Sequence, residues 1–510
     1  MRPSVLPRAC VALLPLCLAV FGCTGGTNLT SGASPISSGP PVTGAPTVTP
    51  VSAPSSPSSP STPTTSAAAP QTSLTVVVSD PAACRAPNGT FSHVYVTITD
   101  IQGSPNADAT PGDGSFSDLT PGLSASPQQV DLMGQPTGKC FLAALTTNAS
   151  VNAGEYQQLR VFLAPDAAAS KVTNNACGGL YANCIVRTDN TLYDLALPAA
   201  SAQGVVVFPG QMANASLTLN ASEQPAIDVS FDVCSSILLR PDGSYEFNPQ
   251  VRAGLVDANG GSISGSVVSS ATGQALKGGQ VVVALEQKDP STGIDRVLMR
   301  TTANADGSFM LCPVPQGTYD LVAVGIDGAD ISYSAGVETG IQSGQLAGQI
   351  PLVPGAAEGT LNGMITTQNA TRPPVGVAVA VRADALQQLP NNGPTITVPL
   401  LPSQNPYNAA SLTSAQSTCP AGWDCSQFAM QLPSTTPNVV ACSEQTAQFQ
   451  QQGAPPGYVA ESFAQMAGAG AMPDCQTNRV DVTVSAQGRT LQLNPNQETT
   501  AANMTYTACE

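Results

Sequence analysis

A single histidine limits the chemistry open to this 510-residue chain. Any Ser-His-Asp or Cys-His arrangement would have to run through His93. His93 falls inside Phe91-Ser-His-Val-Tyr-Val-Thr-Ile-Thr-Asp100, on the face it shares with Tyr95 and Thr97, where a plain surface histidine is expected. A metalloprotease motif needs two histidines, and neither a Gly-x-Ser-x-Gly elbow nor a phosphate loop ending in Gly-Lys-Ser/Thr occurs. Carboxylates are plentiful, and a glycosidase needs only two of them. Sugar sites also offer exposed aromatics, however, and only 5% of this chain is aromatic. Asp108, Asp113 and Asp118 share the loop Asn106–Asp118 and could gather oxygens for a calcium ion. Their spacing is not that of an EF-hand, so a solvated acidic loop is expected. Asn304-Ala-Asp306-Gly307 is calcium-like for four residues but lacks the acid at the twelfth position, and reads as a hairpin turn. No catalytic residue, metal or cofactor is expected.

Cysteine is the other reactive residue in quantity, with eleven copies after Cys23. There is no Cys-x-x-Cys pair and no zinc-finger spacing. In an oxidising compartment these residues are expected to form disulfides. Cys177 and Cys184 enclose six residues including Gly178 and Gly179, and closing such a loop is worth roughly 2.5 kcal/mol in the loop-entropy picture. Cys419 and Cys425 bracket Pro-Ala-Gly-Trp-Asp, which makes a second short loop around Trp423, the only tryptophan. An aromatic held on a rigid loop is how contact hot spots are built. The plainer reading packs Trp423 against its own disulfide. The odd number of cysteines leaves one thiol free or one bridge between molecules.

The elements that must carry these residues read as strands. Val94, Val96 and Ile98 alternate along one face of the segment around His93, and Leu159, Val161 and Leu163 do the same further on. Leu74–Val78 is a strand, as are Val480–Val484 and Leu491–Leu493. Short alternating runs between Gly, Pro, Asn and Asp clusters recur throughout, while long runs at helical period are scarce. The fold class is therefore all-β, in tandem β-sandwich-like domains. About 438 residues follow position 72, a length suited to roughly three domains.

Arg2 and Arg8 precede an apolar run from Ala9 to Phe21 that is much shorter than the ~20 residues of a membrane span, and it reads as a secretory signal. The ending Val20-Phe21-Gly22-Cys23 resembles the lipobox of bacterial lipoproteins, with Phe21 bulkier than usual there. The resemblance implies that residues 1–22 are removed and Cys23 is lipidated. Thr24, rather than Asp, then favours the outer membrane. Residues 23–72 are rich in Ser, Thr, Pro, Gly and Ala, and no charged residue occurs from Cys23 to Ser79. Such a segment cannot bury enough apolar surface to offset its ordering entropy, so a disordered tether is expected. Its reach as a flexible coil is about 40 Å. Loss of Arg2 and Arg8 with the signal leaves 15 basic and 33 acidic residues, a formal charge of −18. Nucleic acid is an unsuitable partner for that surface.

Residues 73–258 resemble an uncharacterised domain of bacterial lipoproteins, the domain of unknown function 4382. The resemblance lies in Val94-Tyr-Val-Thr-Ile-Thr-Asp100, Val130-Asp-Leu-Met133, Ala153-Gly-Glu-Tyr156 with Leu159-Arg-Val161, and Gly243-Ser-Tyr-Glu-Phe-Asn-Pro249-Gln-Val-Arg252. The stretch Asn174–Asn183 and five cysteines depart from it, and it implies no activity. Residues 259–355 resemble the carboxypeptidase regulatory-like domain through Gly265-Ser-Val-Val-Ser269, Val281-Val-Val-Ala284, Ala305-Asp-Gly-Ser-Phe309 and Val314-Pro-Gln-Gly-Thr-Tyr-Asp-Leu321. That implies a seven-stranded transthyretin-like sandwich of carbohydrate-binding-like fold, an accessory module without peptidase activity. Asp306-Gly307 is then a tight turn. Phe309 and Tyr319 are inward anchors, and Leu321 and Ala323 share the face of Tyr319. Residues 356–510 form a Cys-containing β region in which Gly359-Thr-Leu-Asn-Gly-Met-Ile-Thr-Thr367 echoes Gly261–Ser269, as if a second sandwich began there.

The chain thus reads as a non-enzymatic lipoprotein of the bacterial envelope, anchored in the membrane at Cys23, with a binding or structural role. A glycan or a surface protein is the partner that fold resemblance implies, with Trp423 the candidate contact. An envelope hydrolase acting through paired carboxylates is the second reading, and would need convergent acids with a raised carboxyl pKa in a pocket. A pure spacer or matrix protein is the third.

Overall fold

The computed structural model describes residues 69–80, 91–134, 140–197, 204–221, 223–239, 243–256, 261–368, 379–390, 393–401, 409–412, 423–442, 448–451, 457–466, 480–482 and 491–506. The signal at 1–22, Cys23 and most of the 23–72 tether lie outside them. The fold is all-β, built as several sheets stacked face to face.

The first unit is a two-sheet stack. Strands β1 (Gln71–Ser79), β2 (Phe91–Ser104), β3 (Ala143–Asn152), β4 (Ala226–Phe231) and β5 (Val251–Val256) frame it. One sheet runs β5-β4-β1-β3, with β1 and β4 parallel. The other is built around β2, which pairs with Gln158–Leu163 and Cys184–Arg187. Leu74, Val76 and Val78 of β1 meet Val94, Val96 and Ile98 of β2 in one core, the alternation expected of strands with one buried face. Thr97, on the opposite face of β2, is also buried. Its amide donates to Asn183 Oδ1 and its hydroxyl to Ala182 O, so the segment leading into Cys184 covers it.

The second unit has seven strands: β6 (Gly261–Ser269), β7 (Gln280–Lys288), β8 (Ile294–Thr302), β9 (Ser308–Val314), β10 (Thr318–Ile326), β11 (Gly336–Gln342) and β12 (Leu346–Leu352). The sheet β9-β6-β12 packs against β8-β7-β10-β11. Phe309, Leu311, Tyr319, Leu321 and Ala323 fill the space between them. The Tyr319 hydroxyl donates to Pro315 O at 2.8 Å, so its polar end is satisfied where its ring is buried. Asp306-Gly307 does turn the chain into β9, with Gly307 at φ 83° and Asp306 Oδ1 accepting from the Ser308 amide and hydroxyl.

Strands after residue 356 add to the same middle sheet. Those used below are β13 (Gly359–Gln368), β14 (Val379–Gln388), β15 (Thr395–Val398), β16 (Trp423–Leu432), β17 (Asn438–Ala441) and β18 (Gly457–Met466). β17 pairs in parallel with β11 at one edge, and β15 pairs in parallel with β8 at the other. The order becomes β17-β11-β10-β7-β8-β15-β14-β18. β13 and β16 pair antiparallel in a third layer. Leu361, Ile365, Phe428 and Met430 of that layer pack on Val282, Val322, Val324 and Val337 of the middle sheet. β10 is therefore buried on both faces, which explains why Leu321-Val-Ala-Val-Gly-Ile326 is apolar without alternation.

Candidate functional site

A group of buried ionisable side chains lies where the third set of strands meets β7, β8 and β10. Pairing places Glu286 of β7 opposite Asp320 of β10, and Lys288 opposite Asp295 of β8. A register shift between Leu285 and Glu286 marks a bulge in the β7–β8 pair, the kind of irregularity that re-aims side chains. β8 and β15 pair only at Ile294↔Thr395 and Asp295↔Ile396. Beyond that point side chain and backbone continue the seam: the Thr397 amide donates to Glu286 Oε2 at 3.0 Å, and its hydroxyl to Asp295 O at 2.8 Å. Next to Asp295, Arg296 forms a two-pronged pair with Glu461 of β18, one prong at 2.7 Å from Nη2 to Oε1. Asp384 of β14 stands across from Glu461 in the β14–β18 pair.

Glu286 is 0% exposed and Asp295 4%. Glu286 Oε1 and Asp295 Oδ2 have no hydrogen-bond partner among the described residues. Burial pushes the Glu286 carboxyl well above the ordinary range, with Asp295 and Asp320 adding to the effect. Burial and the neighbouring Asp320 push Asp295 up to about 7, and burial raises Asp320. Asp295 and Asp320 are bonded to each other, and two carboxyls in contact share a proton rather than both ionise. Chemically, the group is a set of buried acids in a strand seam, which burial favours in their protonated forms. Among the described residues no set of three His, Cys, Asp or Glu side chains is disposed to hold a metal ion.

The residues singled out from sequence are dispersed. His93 is 46% exposed on β2, with Nδ1 2.6 Å from Asp131 Oδ2 and its ring stacked on Tyr95. Asp131 Oδ1 accepts from the Val94 and Met133 amides, so Asp131 holds backbone and imidazole together. Asp113 and Asp118 accept amides of their own loop, from Ser115 and Thr120. The Asp108 amide donates to Asn106 Oδ1, and Arg160 pins the loop by donating to Ala109 O. The acids of this loop are turn-formers rather than a converging cage.

Cys177 and Cys184 are bridged, with Cα atoms 5.8 Å apart. Asn175 and Gln129 bind the enclosed turn by donating to Tyr181 O and Ala182 O, which leaves Leu180 72% exposed at its tip. Cys425 is disulfide-bonded, and so is Cys442; Cys419 lies outside the described residues. Trp423 stands at the first position of β16, paired with Gln368.

Two features were not foreseen. Cys140, which precedes β3, is bridged to Cys312 of β9, and eleven cysteines on a sequence do not disclose one pairing. The bridge belongs to a wider joint between the first and second units. Arg300 of β8 binds Asp232 through Nε and Nη2, both at 2.9 Å. Arg252 donates to Val297 O, and Asn214 and Gln287 bond reciprocally. Gly254 of β5 meets Pro315 so closely that an added Cβ would lie 2.4 Å from Pro315 Cγ. The buried acid group was the second omission. Its signal is the charge placed inside apolar strand runs, as in Ala284-Leu-Glu286 and Tyr319-Asp-Leu321.

The family model described as a domain of unknown function (DUF4382) matches residues 71–249, most of the first unit. No curated protein matches the chain in sequence. Among solved structures, a leucine-rich repeat protein from Bacteroides thetaiotaomicron is 16% identical over 49% of this chain and 27% of its own, with a TM-score of 0.19. This chain thus spans about a quarter of that protein. The fimbrial anchor protein Mfa2 from Porphyromonas gingivalis is 9% identical over 47% of this chain and 90% of its own, with a TM-score of 0.14. A DUF3823 family protein from Bacteroides uniformis is 12% identical over 42% and 94%, with a TM-score of 0.14.

Proposed function

We propose that this chain is a non-enzymatic envelope lipoprotein, anchored by a lipid on Cys23, whose β units form a stiff support for a binding surface. The observation that carries the reading is the way the units are joined. The first is stapled to the second by Cys140–Cys312, and the later strands occupy both edges of the second unit's sheet. Enzymes that close on a substrate need a joint that opens and closes; this chain fixes its joints covalently and through a continuous sheet. The lipobox-like Val20-Phe21-Gly22-Cys23 and the uncharged tether support attachment to a membrane, with Thr24 favouring the outer one. Seven strands in a three-on-four stack support the carboxypeptidase regulatory-like reading of residues 259–355. A glycan or a surface protein is the partner class, and Trp423 the contact to test.

The hydrolase reading draws on Glu286, Asp295 and Asp320, whose raised carboxyl pKa values are those of a general acid. Their burial in a strand seam argues against it, because a substrate must touch the group that protonates it.

The test applies mature full-length protein to a glycan array and to an assay of reducing-sugar release, beside Trp423→Ala and Glu286→Gln. Binding lost in Trp423→Ala, with no sugar release, supports the binder. Release that disappears in Glu286→Gln would establish the hydrolase instead. Silence in both assays would leave the spacer reading.

A further inference from the structure

The seam between β8 and β15 joins the second unit to the later strands, and it is built from groups that do not satisfy one another when all are ionised. Facing one another there are Glu286 and Lys288 from β7, Asp295 and Arg296 from β8, and Asp320 from β10. Glu461 of β18 and Asp384 of β14 adjoin them, with Asp481 paired to Glu461 on the strand beyond, while β15 contributes no charge. Among the described residues acids outnumber cations there; Arg296 is engaged by Glu461, and Lys288 is exposed. The orphaned oxygens Glu286 Oε1 and Asp295 Oδ2 lie within this group. A protonated carboxyl carries an O–H that can donate to a neighbouring carboxylate, whereas an ionised one brings a buried, unpaired acceptor and a like charge.

From this arrangement we infer that the β8–β15 seam is a proton-operated latch, closed when Glu286 and the Asp295–Asp320 pair carry protons and loosened when they lose them. The strand released first is β15, which two backbone pairings and the Thr397 hydroxyl hold on β8. The Thr397 amide bond to Glu286 of β7 favours the ionised carboxyl and opposes release, but burial outweighs it. At its other edge β15 pairs with β14 over four positions, while the Arg296–Glu461 pair keeps β18 on β8, so the loosening is confined to β15 and the adjoining end of β14. Because folding raises these carboxyl pKa values, the seam is firmest at a pH below the ordinary carboxylate range. It weakens as pH rises through about 7 for Asp295. An envelope protein carrying such a latch has one arrangement in an acidic medium and a looser one in an alkaline medium.

The test is segment-resolved hydrogen exchange on full-length protein, corrected for the intrinsic pH dependence of exchange. The latch predicts that protection over Thr395–Val398 falls about 100-fold between about pH 5 and about pH 8. The double variant Glu286→Gln/Asp295→Asn mimics the protonated forms, so it should keep the acid-state protection at both pH values. Of the other acids that burial raises, Asp80 and Asp228 lie in the first unit, Glu338 lies on β11 and Glu358 just before β13, and resolution by segment separates them from the seam. Equal protection of the wild-type seam at both pH values overturns the latch whatever the variant does. A wild-type loss that persists undiminished in the double variant also overturns it.

Discussion

Cys140 and Cys312 are 172 positions apart in sequence, yet their Cα atoms stand 5.6 Å apart across a disulfide. This bridge ties the approach to β3 in the first unit to β9 in the second. It acts in parallel with the Asp232–Arg300 pair and with the close approach of Gly254 to Pro315, so the joint is at once covalent, ionic and steric.

Removing the bridge with Cys140→Ser/Cys312→Ser is expected to lower stability by about 2–5 kcal/mol, with loop entropy setting the upper end. The relative placement of the units should survive, because the polar contacts remain. Denaturant unfolding reads the first effect and solution scattering the second. A stable variant whose scattering profile broadens would assign the joint's geometry to the disulfide alone.

Gly254→Ala tests the steric part of the joint. The proline ring cannot give way as a flexible side chain would, so backbone must move, at about 1–3 kcal/mol. Thermal unfolding should register the loss, and trypsin should cut after Arg252 of β5 faster. Wild-type values for both would show that β5 and Pro315 separate freely.

Arg296 and Glu461 form a buried pair, and breaking it from one side leaves a charge with no counter-ion. Arg296→Met should therefore cost about 3–5 kcal/mol, while Arg296→Met/Glu461→Leu should recover most of that. Equilibrium unfolding of the two single variants and the double variant closes the cycle. Additive losses would mean that the pair is not coupled.

In the first unit, burial pushes the Asp228 carboxyl up to about 7, against the lowering effect of the Ser79 hydroxyl, which donates to Oδ2 at 2.8 Å. A raised folded-state value means that the stabilising form is the protonated one. The contribution is complete below the ordinary aspartate range and is lost as pH rises through about 7. Asp228→Asn should accordingly be more stable than wild type at about pH 8, by roughly 2–4 kcal/mol. The two should converge near about pH 4. A wild type that gains on the variant as pH rises would reverse the sign and refute the burial argument.

Strand content and the hairpin at Asp306-Gly307 were legible because period-two alternation and Gly/Asp turn chemistry are local signals. Phe309 and Tyr319 could be placed inward for the same reason. Thr97 could not: its face of β2 is covered by residues 182 and 183, far away in sequence. The double burial of β10 was signalled by the unbroken run Leu321–Ile326, but a periodicity argument cannot say what lies on the second face. The acid seam depends on register, since Glu286 and Asp320 become neighbours only when β7 and β10 are paired. Cys140–Cys312 depends on the docking of two units, and no spacing rule reaches across 172 residues.

Attachment to the envelope by a lipid on Cys23 is tested by intact mass and protease shaving of whole cells, native protein against Cys23→Ser. The native product should begin at Cys23, carry acyl mass and be released by shaving, and the Cys23→Ser product should lack the lipid and leave the membrane fraction. A native protein without acyl mass, or one that stays in the membrane fraction equally well as Cys23→Ser, would contradict it.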